Sequence, residues 1–179
     1  MILWQKTIDH PPGFVEKLEK QIVSQHNSKS YFTTYNDLNV KNDPILDEEI
    51  ETYLKNFYQN AVIEMMKDIG IHGALHYKMK EYGAYWVQMY NSDTDSHGVH
   101  DHHGYGAFVS WVHVLKTVPG QKPFFFINSR AEKLHPLCQD TSHMFAFPSW
   151  ALHGAEPIKT PGVNRIIVAG NVHFSKSKE

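Results

Sequence analysis

Hydrophobic positions along the chain change their period near Gly70. Residues 1–8, MILWQKTI, read as a short strand. Pro11-Pro12-Gly13 interrupts it, and Phe14, Leu18 and Ile22 then recur four apart, which predicts a helix running to Gln25. The polar, turn-rich stretch 27–43 reads as a loop. From Pro44 to Ile69, Leu46, Ile50, Leu54, Phe57, Ala61 and Met65 form one apolar stripe. This is a second helix, with Asp47, Glu48 and Glu49 near its positive N-terminal end. Beyond Gly70 the apolar runs shorten and are separated by Gly, Pro, Asn and Asp, predicting strands at 74–78, 84–90, 105–115, 123–127, 143–147 and 164–174. Regular short strands suggest a β-sandwich or barrel, and two helices ahead of them fit an α+β domain whose helices cover one sheet face. The expected organisation is one domain over 1–179, with a strand and supporting helices in 1–70 and a β core in 71–179. There is no internal repeat and no linker rich enough to split it.

Composition narrows the partners. Hydrophobic residues make up 41% and charged residues 20%, as in globular proteins, and the net charge of −2 advertises neither nucleic acid nor an anionic membrane as a partner. No apolar run approaches the length of a membrane span. The N-terminus lacks a basic stretch followed by an apolar one, and the single cysteine, Cys138, has no internal partner for a disulfide; a reducing, cytoplasmic setting is expected. Neither GxGxxG nor a P-loop is present, and Ser110, Cys138 and His135 come without the nucleophile elbow that hydrolase chemistry would need.

Histidine changes the picture. The chain has 13, and four of them fall within residues 97–103. Neutral imidazole is the commonest protein metal ligand. If HGVHDHHG continues as a strand, His100 and His102 share one face and Asp101 and His103 the other, so either pair could supply two ligands. The best distant donor is His153 in FPSWALHGAEP, behind the Pro148-Ser149 turn. Three ligands with open positions describe a catalytic centre, whereas structural zinc takes four, usually with cysteine. Downstream, NRIIVAGNVHF alternates, placing Arg165, Ile167, Ala169, Asn171 and His173 on one face. An arginine on so apolar a strand suits a carboxylate held bidentately.

In order and spacing, HGVHDH, FPSWALHGAEP and a strand opening with Arg165 resemble the 2-oxoglutarate- and Fe(II)-dependent oxygenases. Most similar are the small stand-alone, prolyl-hydroxylase-like members, including phage and marine microbial forms. The resemblance spans about residues 84–174, taking in YWVQMY at 85–90 and Pro119-Gly120. It implies a double-stranded β-helix (jelly roll) with the N-terminal helices packed on one sheet. His100 and His153 would be iron ligands, and Arg165 would hold the far carboxylate of 2-oxoglutarate. Gln88 and Tyr90, on a strand face with Trp86, would be co-substrate contacts. At the remaining ligand position most of the family has Asp or Glu and this chain has His102, so the site is either a three-histidine centre or one that recruits Asp101 through a bulge. The implied partners are 2-oxoglutarate, O₂ and an unidentified prime substrate, with a protein or peptide side chain favoured.

Two other readings stand beside this one. The first is a cupin-like three-histidine metal enzyme that does not use 2-oxoglutarate; the second is a binding module that keeps the fold without catalysis. Phe124, Phe125 and Phe126 read as a buried strand, and Trp150 as either a pocket wall or a core residue.

Overall fold

The computed structural model describes residues 1–25, 31–35, 46–71, 85–94, 97–103 and 106–173. Among these residues two helices, α1 (Phe14–Gln25) and α2 (Glu48–Asp68), accompany ten strands. These are β1 (Trp4–Thr7), β2 (Tyr31–Thr33), β3 (Tyr85–Tyr90), β4 (His97–His100), β5 (Ala107–Lys116), β6 (Phe124–Ile127), β7 (Lys133–Leu134), β8 (His143–Pro148), β9 (His153–Ala155) and β10 (Arg165–His173). They pair antiparallel into a six-stranded sheet, ordered β1-β8-β5-β10-β3-β2, and a four-stranded sheet, ordered β4-β9-β6-β7.

The six-stranded sheet has a core on each face. Leu18 and Ile22 of α1, and Ile50, Leu54, Tyr58 and Met65 of α2, are almost wholly buried against Val87, Met89, Val109, Trp111, Ile166 and Val168. The four-residue spacing in the helices turns one stripe to the sheet, and the two-residue spacing in the strands answers it. Burying each such side chain contributes about 1.5–3 kcal/mol. On the opposite face Trp86, Tyr90, Val112, Phe145, Phe147, Ile167 and Ala169 meet Phe124 and Phe126 of the smaller sheet. The alternation read along β10 therefore holds: Ile166 and Val168 face the helices, while Ile167 and Ala169 face the second sheet.

Three differences from the sequence reading have physical causes. The 27–43 stretch, expected as loop, contains β2, because Tyr31, Phe32 and Thr33 find hydrogen-bonding partners in Tyr90, Met89 and Gln88 of β3. Tertiary pairing overrides the polar surroundings of the segment. Strands β7 and β9 are too short to show a period. Strand β4 ends at His100 and the chain turns at 101–103, so His102 is not on a strand. The strand expected at 74–78 lies outside the described residues.

Candidate metal centre and anion pocket

His100 and His153 face each other across paired strands, since His100 of β4 is the register partner of His153 of β9. Next to them Gly154 is required by close approach: a Cβ there would stand 2.9 Å from the His97 carbonyl and 2.9 Å from the Phe125 ring. His102 arrives from the turn that follows β4. One ligand atom from each of His100, His102 and His153 lies within 4.8 Å of the others. Pairing by strand alternation was thus the wrong premise, although the three histidines do converge. Asp101 is exposed and its Oδ1 accepts the His103 backbone N–H at 3.1 Å, closing a local turn.

Two of the tautomers are fixed by backbone carbonyls, which can only accept. His100 Nδ1–H donates to Gly98 O at 2.7 Å and His153 Nδ1–H donates to Ala151 O at 2.8 Å. In its neutral form each ring therefore presents a lone pair on Nε2, the arrangement that metal-binding histidines use. Burial is the first cause lowering His153 to about 3 and His102 to about 4; neighbouring histidines push both the same way, while the Ala151 carbonyl and Asp101 respectively oppose the shift. Both rings are neutral at pH 7.

The cluster opens on a cavity of about 300 Å³ between the sheets. In the β10–β3 register Arg165 lies opposite Tyr90, Ile167 opposite Gln88, and Ala169 opposite Trp86. All six line the cavity, as do the three histidines. The Trp86 and His102 rings are 5.8 Å apart, and the Arg165 guanidinium carbon is 5.6 Å from the Tyr90 ring centre. Tyr90 Oη donates to Gln88 Oε1 at 2.7 Å.

Arg165 is 1% exposed, and its Nε and Nη2 have no hydrogen-bond partner among the described residues. Burial lowers its pKa to about 10, against the opposing influence of Tyr90, so it stays a cation at neutral pH. Leaving charged donors buried and unmatched costs more than the roughly 1–3 kcal/mol of a neutral group. Among the described lining residues the only carboxylate is Asp101, which is exposed and turned to its own backbone. The pocket is thus electropositive and fits a carboxylate, and the three imidazoles fit a metal with open coordination positions.

Sequence reasoning missed His97, Tyr35 and Thr33, which line the same cavity. His97 sits 4.7 Å, ring to ring, from His100, and burial holds it at about 4. Its signal was present as the first histidine of the cluster. Tyr35, 5.1 Å from Trp86 between ring centres, was hidden in the presumed loop. Trp150 is 60% exposed, hence neither core nor pocket wall. Phe124–Ile127 is the buried strand expected of the Phe run. Ser110, Cys138 and His135 are engaged with other partners and not with one another: Ser110, on the cavity lining, donates to Asn171, Cys138 contacts Asp140, and His135 bonds the Lys122 carbonyl.

No protein-family model matches the chain, and no curated protein sequence does. Solved structures do resemble it. A prolyl-4-hydroxylase from Pseudomonas putida superposes with a TM-score of 0.57 at 14% identity, covering 96% of this chain and 92% of that one. A dioxygenase for auxin oxidation from rice superposes with a TM-score of 0.55 at 13% identity, covering 93% of this chain and 71% of that one. At such identities what this chain has in common with these two proteins is the fold.

Proposed function

We propose that this protein is an Fe(II)- and 2-oxoglutarate-dependent oxygenase on a single-domain double-stranded β-helix, acting in the cytoplasm. The observation that carries the reading is Arg165, a buried cation with two donors unmatched among the described residues, in the same cavity as three converging histidines. A metal cluster alone fits many activities; a metal cluster beside a buried guanidinium asks for a co-substrate that is both a chelator and a carboxylate. His100, His102 and His153 would hold Fe(II). Arg165 would take the far carboxylate of 2-oxoglutarate bidentately, with Gln88 and Tyr90 along its flank. The iron, 2-oxoglutarate and O₂ together supply oxidative decarboxylation to succinate and CO₂, coupled to hydroxylation of a C–H bond. The chain's own contribution is to orient the imidazoles through the Gly98 and Ala151 carbonyls, to neutralise the co-substrate's charge, and to line the reacting space with Trp86, Phe124, Phe147 and Ile167 so that water is excluded. For the prime substrate we favour a protein or peptide side chain, on the analogy with the prolyl-4-hydroxylase.

Three neutral ligands also suit a metal enzyme that does not use 2-oxoglutarate, and His102 in place of a carboxylate is what favours that second reading. Anaerobic addition of Fe(II) and then 2-oxoglutarate separates the two. The oxygenase gives a weak visible metal-to-ligand charge-transfer band, which Arg165→Ala shifts to at least about tenfold higher 2-oxoglutarate, as loss of a charge-assisted contact requires. Iron binding with no band at any 2-oxoglutarate concentration overturns the oxygenase and supports the second reading.

A further inference from the structure

Ser149 belongs to neither the histidine cluster nor the cavity wall, yet it joins the segments that carry two of the three histidines. It is 1% exposed and sits in the turn between β8 and β9. Its carbonyl accepts the His102 backbone N–H at 2.9 Å. Its own N–H donates to the Phe108 carbonyl at 3.2 Å, and its hydroxyl donates to the Ala107 carbonyl. The same turn continues through Ala151, whose N–H donates to the Pro148 carbonyl at 2.9 Å and whose carbonyl fixes the His153 ring at 2.8 Å. One residue thus ties the start of β5, the turn bearing His102 and the turn leading to His153.

We propose that Ser149 is a positioning residue for the metal site, holding His102 beside His153. The inference rests on the metal-centre reading above. The argument is one of constraint. His102 follows the end of β4, where no ladder hydrogen bonds hold it, and Asp101 bonds only within its own turn. Among the described residues, the backbone bond from His102 to Ser149 is the only hydrogen bond from that turn to the segment leading to His153. The Ser149 carbonyl can serve as a fixed anchor because the Ser149 hydroxyl and N–H both bind β5, which is paired on both edges with β10 and β8. Without the hydroxyl one of these two moorings is lost, the carbonyl gains freedom, and His102 loses preorganisation while its own chemistry is untouched.

The test is anaerobic titration of the purified full chain with Co(II), reading affinity and the visible d–d spectrum. Ser149→Ala is expected to lower Co(II) affinity on the order of ten- to a hundredfold, as removal of supporting bonds around metal ligands typically does. Its spectrum should move toward that of His102→Ala, and Ser149→Thr, which keeps the hydroxyl, should recover most of the wild-type spectrum. Tyr58→Phe, which loses buried hydrogen bonds on the far face of the sheet, should retain wild-type affinity. An alanine variant that binds Co(II) with wild-type affinity and spectrum overturns the positioning role, as does an equal loss of affinity in Tyr58→Phe. If the alanine variant fails to fold, Ser149→Cys, close in size with a weak donor, is read in the same way. Wild-type protein that binds no Co(II) overturns the metal-centre reading itself.

Discussion

His10 and His113 lie under α2, while His100, His102 and His153 lie between the sheets. Burial drives two rings in each place well below the ordinary value near 6.5: His10 to about 3 and His113 to about 4 under the helix, His153 to about 3 and His102 to about 4 between the sheets. What separates the groups is how the ring nitrogens are used. His113 Nε2 must carry a proton, because its partner at 2.9 Å is the Ile8 carbonyl. Its Nδ1 therefore accepts the Tyr58 hydroxyl at 2.8 Å. Tyr58, its proton spent, accepts His10 Nε2–H at 3.2 Å, and His10 Nδ1 is left to accept the Tyr53 hydroxyl at 3.0 Å. One carbonyl polarises a four-residue chain in which every ring nitrogen is satisfied. In the cavity the same device is applied once to His100 and once to His153, and then it stops, leaving Nε2 without a hydrogen-bond partner among the described residues. Depressed basicity marks burial in both groups; an unspent lone pair marks the site.

Breaking the two groups should have opposite consequences. The largest effect is expected from His153→Ala or His102→Ala, each lowering metal affinity by at least about a hundredfold, more than loss of an outer partner does. Asp101→Ala should keep close to one metal per chain. Metal analysis after dialysis reads both, and the reverse pattern would reassign the third ligand to Asp101. Next, His113→Ala should leave metal binding in place but destabilise the fold by about 2–4 kcal/mol, since it orphans the Tyr58 hydroxyl and the Ile8 carbonyl and opens a cavity. Chemical denaturation of the metal-free protein measures this. Tyr53→Phe, at the partly exposed end of the same chain, should cost only about 0.5–1.5 kcal/mol.

Acid sharpens the contrast further. A histidine whose folded pKa lies below its unfolded one binds protons preferentially in the unfolded chain. Its stabilising contribution is complete above about pH 6.5 and is lost as pH falls toward the folded values of about 3 and 4. The metal-free protein should thus weaken steadily between about pH 6.5 and 4. His10→Phe keeps the stacking with Phe14 and Phe57, at 4.9 and 4.1 Å, but removes one titrating ring. The stability difference between pH 7 and 5 should be smaller in this variant, and an unchanged difference would exclude His10 as a contributor.

Much of this was legible in the sequence, unevenly. The stripes of α1 and α2 and the two-faced β10 were clear because burial on one side writes a period into the residues. Arg165, His100, His102 and His153 were legible because a charge or a run of imidazoles is conspicuous against apolar strands. The turn at 101–103 was not, because local alternation carries no sign of where pairing ends; that was set by the bond from His102 to Ser149 in a segment nearly fifty residues on. Strand β2 was hidden for the same reason, its partner being β3. Sequence also gave no hint that His10 and His113 would be neighbours, with rings 5.2 Å apart, because nothing near either one announces the other.

The position of β10 has a consequence for the making of the protein. It follows every other described strand in the chain, yet it lies between β5 and β3 in the larger sheet. Until it leaves the ribosome, β1, β8 and β5 on one side and β3 and β2 on the other are two fragments with open edges and no ladder between them. Such late, long-range closure makes for slow folding and a long exposure to chaperones or to aggregation. Arg165 is the first residue of that strand, so the insertion that welds the sheet also delivers the cation to the pocket. A nascent or truncated chain lacking 165–173 would therefore be both unfinished and unable to capture an anion, which couples quality control of the fold to possession of the site.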